Sequence, residues 1–150
     1  MPTPPQARVV RSFTANAERL FDAWFDPALI GQWMFGPALR EEEVLHIQVD
    51  PRVGGAFSFL VRRNGQDIDH VGKYLAIDRP KHLAFTWGVA PDTGEGSRVT
   101  VEITPLDTGC DLTLTHELTP EWTEFVERCQ EAWTKMLGAL SDLLDRQSDS

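Results

Sequence analysis

Near the start of the chain, apolar side chains fall first on a strand and then on two short helices. Residues 7–13 form a β-type run. Asn16 is a suitable N-cap for a helix over residues 17–25, in which the apolar side chains share one stripe. An Asp-Pro pair ends this segment, and residues 28–33 predict a second short helix. The pattern therefore predicts one strand followed by two short helices.

Beyond residue 44 the apolar positions recur every second residue, which is typical of strands with one buried face. The Asn64-Gly65 pair predicts a tight hairpin, and further glycines and prolines separate the later runs. Strands joined by short turns favour an antiparallel meander. The predicted strands cover residues 44–49, 57–61, 68–77, 82–89, 98–104 and 110–118.

A long amphipathic helix over residues 121–144 is the clearest predicted element. Thr119 and Pro120 resemble an N-cap and a first helical residue, and apolar side chains then recur at three-to-four spacing. At 1.5 Å per residue this helix is about 36 Å long, enough to cross a sheet. It carries the long apolar stripe that the apolar face of the sheet needs as a cover.

The strand pattern also predicts which side chains face the interior. On three strands one face is apolar, apart from a single histidine: Leu83, Phe85 and Trp87; Val99, Val101 and Ile103; and Leu112, Leu114, His116 and Leu118. A strongly curved sheet touches a straight helix along a line, with bends accommodated at glycines such as Gly54, Gly55 and Gly72. This geometry predicts a cavity between the sheet and the helix.

Composition and charge exclude several classes of function. At 150 residues the chain predicts one domain, 1–150, with 1–6 and 145–150 expected to be flexible. The net charge of -9, without a cluster of basic residues, disfavours nucleic-acid binding. No apolar run reaches the ~20 residues of a membrane span, and the start lacks a signal-peptide pattern, which predicts a cytoplasmic protein. Cys110 and Cys129 stand alone and are expected to be buried thiols.

Several strings along the chain resemble the START-like (SRPBCC) superfamily, and within it the family named after the activator of the heat-shock-chaperone ATPase. They are AERLFDAWFDPALIGQW, DPRVGGAFSF, HVGKYLAIDRP, LAFTW, LTLTHEL and WTKMLGAL. The resemblance implies an α+β helix-grip fold: a curved antiparallel sheet of about six to seven strands wrapped around a long C-terminal helix. The stretch from Trp33 to Pro37 departs from the family pattern, which predicts a reshaped end of the pocket.

The resemblance also implies a pocket without fixing what the pocket holds. Relatives in the superfamily include lipid carriers, polyketide cyclases and aromatases, and bacterial single-domain members look like ligand-binding proteins. The chaperone-activating role belongs to members with a further N-terminal domain. Three hypotheses follow: a carrier of a small apolar or aromatic molecule, a cyclase-like enzyme, and a chaperone- or stress-associated interaction protein.

The residues chosen as ligand contacts combine sheet-face parity with the stripe of the last helix. They are Phe59, Phe85, Trp87, His116, Trp133 and Met136. His116 would orient a ligand or donate a proton, although a buried histidine satisfied by a neighbour is the favoured interpretation. No motif indicates a nucleophile, a metal site or a phosphate loop, so no catalytic residue, metal or cofactor is predicted. A homodimer and a chaperone partner are left open.

Overall fold

Each predicted strand and helix has a counterpart in the computed structural model, which describes residues 5–35, 42–89 and 97–148. The strands are β1 Gln6–Phe13, β2 Glu43–Val49, β3 Ala56–Arg63, β4 Gln66–Asp78, β5 His82–Thr86, β6 Gly88–Val89, β7 Arg98–Pro105 and β8 Cys110–Glu117. The helices are α1 Ala17–Asp22, α2 Pro27–Trp33, a 3₁₀ helix Pro120–Phe125 and α3 Val126–Ser148.

The strands form one antiparallel sheet in the order β1-β8-β7-β5-β4-β3-β2, with the short β6 paired to β4. The first and last strands are neighbours, because β1 pairs with β8 along its whole length. Successive strands between β2 and β8 otherwise lie side by side, as a meander requires. The α+β helix-grip fold that the sequence predicts is confirmed.

The hairpin between β3 and β4 has the predicted turn. Arg63 pairs with Gln66, which leaves Asn64 and Gly65 as the two loop residues. Both have positive φ, 53° and 76°, as a type I′ turn needs. Asparagine and glycine tolerate this region of φ better than other residues, so the local sequence fixes the register of the hairpin.

Three predicted elements have wrong boundaries. The first helix, expected over 17–25, ends at Asp22. The strand expected over 82–89 is interrupted at Trp87, and its second part pairs with β4 at His70 and Val71. The helix expected over 121–144 starts at Val126 and continues to Ser148. Trp122, placed by periodicity in its first turn, has φ −106° and ψ 15° inside a 3₁₀ helix and is 49% exposed. Three-to-four spacing does not distinguish such a turn from α-helix.

The core lies between the concave face of the sheet and α3. The three predicted interior faces on β5, β7 and β8 are buried, except that Trp87 remains half-exposed. From α3 the buried side chains are Trp133, Met136, Leu137, Leu140, Leu143 and Leu144. In β2 the register shifts between Val44 and His46, and Val44, Ile47 and Val49 pack against the core. The sheet and helix therefore bury their apolar faces against each other, as the periodicity predicts.

Gly72 allows β4 to lie unusually close to its neighbours. A Cβ atom at this position would stand 2.0 Å from the Thr86 carbonyl oxygen and 2.5 Å from Cζ of Phe57. The absent side chain therefore gives the Phe57 ring its place on the inner face of the sheet. Gly72 was expected at a bend, and what the structure shows there is a close approach of neighbouring atoms, which is another reason for a glycine in a strand.

We predict that Gly72→Ala lowers the free energy of unfolding by about 3 kcal/mol or more, because the added methyl group meets backbone that cannot move cheaply. Gly138→Ala is the control, since no atom among the described residues lies within 4 Å of its new Cβ. In α3 that change should stabilise the protein by about 0.5–1 kcal/mol. Urea unfolding measures both; equal effects of the two variants would contradict the close approach at Gly72.

Candidate ligand site

A small cavity lies in the aromatic part of the core. Its volume is about 10 Å³, room for about one water molecule. The described lining side chains come from the turn after α1, the residue after α2, and strands β3, β4 and β5: Trp24, Met34, Phe57, Phe59, Tyr74 and Phe85. None of them comes from α3, so the prediction of a cavity between the sheet and that helix is wrong for this cavity. Five of the six are aromatic, so the wall of the cavity is suited to an apolar or aromatic molecule.

Further tryptophans extend this wall towards α3. The ring centroid of Trp133 lies 6.2 Å from that of Trp24 and 5.6 Å from that of Trp87. Trp87 in turn lies 6.3 Å from Phe59 and 6.1 Å from Phe85. These tilted contacts are the arrangement that aromatic pairs prefer, and they connect the cavity to the covering helix.

His116 is tied to Trp133 rather than exposed to the cavity. The Trp133 indole Nε1–H donates to His116 Nδ1 at 3.1 Å, and Nε2 lies 2.5 Å from Ser97 Oγ. An indole nitrogen only donates, so Nδ1 must be the acceptor and Nε2 carries the hydrogen, which it donates to Ser97. Burial lowers the pKa of His116 to about 4. His116 is therefore a neutral histidine with two neighbours, which is the interpretation the sequence favoured.

The six predicted contacts are divided between the cavity and its surroundings. Phe59 and Phe85 line it. Trp87 contacts the ring of the lining residue Phe59, and Trp133 contacts the ring of the lining residue Trp24. His116 is hydrogen-bonded to Trp133. Met136 is buried in the same core but is not a lining residue. Whether any of them binds a ligand stays a prediction.

Four lining residues were not among the predicted contacts: Trp24, Met34, Phe57 and Tyr74. Phe57 shares the face of Phe59 and could have been chosen by parity. Trp24 lies on the apolar stripe of the first predicted helix, but the stripe does not show how deep a side chain reaches. Met34 follows the end of α2, where no periodicity applies. It belongs to the stretch expected to reshape the pocket, of which Gly36 and Pro37 lie outside the described residues.

The buried tryptophans differ in their hydrogen bonds. Trp33 Nε1 donates to the Ala23 carbonyl oxygen at 3.1 Å, and Trp133 Nε1 donates to His116. Trp24 is 3% exposed, and its Nε1 has no hydrogen-bond partner among the described residues. Buried N–H groups are nearly always paired, so the Trp24 indole is an exception that needs an explanation.

Among the described residues, the cavity wall carries no charged side chain. Its titratable residue is Tyr74, whose pKa is raised by burial and, to a smaller extent, by the carboxylate of Asp50, so the hydroxyl keeps its proton. Across the described ranges, no three His, Cys, Asp or Glu side chains come together in a way that could hold a metal ion. No helix in those ranges is long and apolar enough to cross a membrane.

We predict that His116 makes the folded protein less stable in mild acid. Below pH 6.5 the unfolded chain binds a proton at this histidine that the folded protein, with a pKa of about 4, does not bind. Stability is therefore lost as pH falls from 6.5 to 4, by about 3 kcal/mol at most. His116→Asn keeps an acceptor for Trp133 but does not titrate.

The measurement is urea unfolding of both proteins at pH 7, 5.5 and 4. The stability advantage of the wild type over His116→Asn should shrink by about 3 kcal/mol between pH 7 and 4. An advantage that is the same at all three pH values would mean that the fold does not hold His116 neutral.

Comparisons with known proteins agree on one family. The family model described as Activator of Hsp90 ATPase homolog 1-like protein matches residues 14–145. A protein of Chromobacterium violaceum is 26% identical, with a TM-score of 0.76 over 93% of this chain and 96% of that one. A Nitrosomonas europaea protein is 18% identical, with a TM-score of 0.83 over the whole of both chains.

A third structure is the Aha1 dimer of Colwellia psychrerythraea, which is 19% identical with a TM-score of 0.70 over 91% of this chain and 93% of that one. No match is found among curated proteins.

Proposed function

Since this chain belongs to the family of Activator of Hsp90 ATPase homolog 1-like proteins, we propose that it binds a small apolar or aromatic molecule in the cavity between the sheet and the residues that follow α1 and α2. The observation that carries this proposal is the cavity walled by five aromatic side chains and Met34. Apolar walls with few polar groups are the usual lining of a small-molecule site.

The cavity is too small for the proposed ligand unless side chains move. The cavity holds about one water, so a molecule the size of an aromatic ring has to displace side chains. Met34 is suited to this movement because its unbranched chain adopts many shapes, and Trp87 can move because it is only half-buried. Burying about 200 Å² of apolar surface contributes about 5 kcal/mol, from which the cost of opening and of association is subtracted. We therefore expect weak to moderate affinity.

In this proposal the predicted contacts have different roles. Phe59 and Phe85 touch the ligand directly, since they line the cavity. Trp87, Trp133 and Met136 form the layer that shifts when the cavity opens. His116 positions Trp133 through the indole hydrogen bond instead of contacting the ligand.

We predict that filling the cavity removes the ligand. Met34→Phe places a ring in the space that the ligand needs, whereas Leu143→Phe adds the same ring to a buried position on α3 that does not line the cavity. Both changes overpack the core at a cost of about 1–3 kcal/mol, so they are matched in stability.

Native mass spectrometry of freshly purified protein, followed by solvent extraction, measures the bound molecule. The wild type and Leu143→Phe should carry it, and Met34→Phe should appear at the mass of the bare chain. Equal occupancy in all three proteins would place the ligand elsewhere, and a bare wild type that takes up no added aromatic compound would contradict the carrier function.

Interaction with a protein partner is a second candidate. It is supported by Trp122, whose side chain is half-exposed and whose ring centroid lies 5.0 Å from that of Phe125. Exposed aromatic side chains are enriched in interfaces. A partner complex that is lost with Trp122→Ala and survives Met34→Phe would favour this candidate over the carrier. The cyclase-like enzyme lacks such support, because the lining residues that the structure describes include no acid and no histidine.

The oligomeric state stays a prediction. The Colwellia relative is a dimer, and its 19% identity to this chain supports a shared fold rather than a shared assembly. Light scattering of the purified chain would measure its mass in solution.

A further inference from the structure

The Trp24 indole is a hydrogen-bond donor for which the described residues provide no acceptor. It lines the cavity, and its Nε1 is buried with no partner among the described residues. The two neighbouring buried tryptophans, Trp33 and Trp133, each have one. Leaving a buried N–H without an acceptor lowers the equilibrium constant for folding by about tenfold or more. A ligand that brings an acceptor to this N–H therefore gains a hydrogen bond that the empty site does not make.

The rest of the wall limits what that acceptor can belong to. None of the described lining side chains is charged, so an ionised ligand would lose its hydration without gaining a counter-ion from them. The carboxylate of Asp50 acts on Tyr74 from outside the cavity and would repel an anion. Phe57, Phe59 and Phe85 provide three further aromatic lining side chains. A flat, neutral body with one accepting atom fits this distribution.

We propose that the site selects neutral aromatic or apolar molecules that carry one hydrogen-bond acceptor, such as a ketone oxygen, which accepts from Trp24 Nε1–H. This inference rests on the proposed ligand-binding function and adds the chemical class of the ligand. It predicts that fatty acids and other carboxylates are poor ligands, because they enter ionised or must first take up a proton.

A single water is the competing occupant of the cavity in the free protein. The space suffices for about one, and a buried water usually makes about three hydrogen bonds. Trp24 and Tyr74 are the lining side chains with a polar hydrogen to offer. A ketone oxygen accepts from the same donor, while its apolar body gains the aromatic wall that a water cannot use.

The test uses two ligands of the same shape, acetophenone and α-methylstyrene, which differ in having C=O or C=CH₂. Their dissociation constants are measured for the wild type, Trp24→Phe and Tyr74→Phe. Taking the ratio of the two constants in each protein cancels the difference in hydration between the ligands. The ratio should shift against acetophenone by about tenfold in Trp24→Phe and should stay at the wild-type value in Tyr74→Phe.

A second measurement does not require any variant to bind a ligand. The chain has five tryptophans, and Trp24→Phe identifies the Trp24 indole N–H resonance by its loss from the NMR spectrum. In the wild type, acetophenone should move this proton downfield, as a new hydrogen bond does, and α-methylstyrene should not.

The outcomes separate this inference from the function on which it rests. If both ligands bind and the ratio of their dissociation constants is the same in wild type and Trp24→Phe, the proposed binding function holds and the proposed hydrogen bond from Trp24 is wrong. A ratio that changes only in Tyr74→Phe assigns the donor to Tyr74 and overturns the inference in the same way. If neither ligand binds to the wild type, the proposed function fails together with it.

Discussion

The structure depends on one constraint: a curved sheet with an apolar concave face has one long helix to cover it. Trp133 makes the central contact of that cover, since it reaches Trp24 and Trp87 by ring contacts and His116 by a hydrogen bond. A straight helix cannot follow a curved sheet everywhere, and aromatic side chains fill most of the difference. The cavity beside Trp24 lies next to this cover, between the sheet and the residues that follow α1 and α2.

Much of the fold could be predicted because periodicity reports burial directly. The apolar faces of β7 and β8 and the Asn64-Gly65 turn follow from residue type alone. The interruption at Trp87 could not be predicted, since it arises from pairing with a distant segment of β4. Likewise the shift in β2 near Val44 depends on the partner strand, and a sequence pattern does not contain that information.

The candidate site was harder to predict than the fold. Parity placed Phe59 and Phe85 on the correct face, and both reach the cavity. Trp24 was not chosen, because a helix stripe does not show which of its side chains meets the sheet and which packs against another helix. Its unpaired indole is visible only when every neighbour is known. His116 shows the reverse: a polar residue on an apolar face suggested a ligand contact, and its position identifies it as an acceptor for Trp133.

The central claim is that the aromatic core opens to admit a small molecule beside Met34. The most direct measurement is a titration of protein carrying ¹³C-labelled methionine methyl groups with acetophenone. Because ring currents act over a short range, the Met34 methyl resonance should shift strongly and saturably, and the Met136 methyl should shift less, since it is buried but does not line the cavity. Saturable binding that leaves the Met34 resonance unmoved would contradict the account.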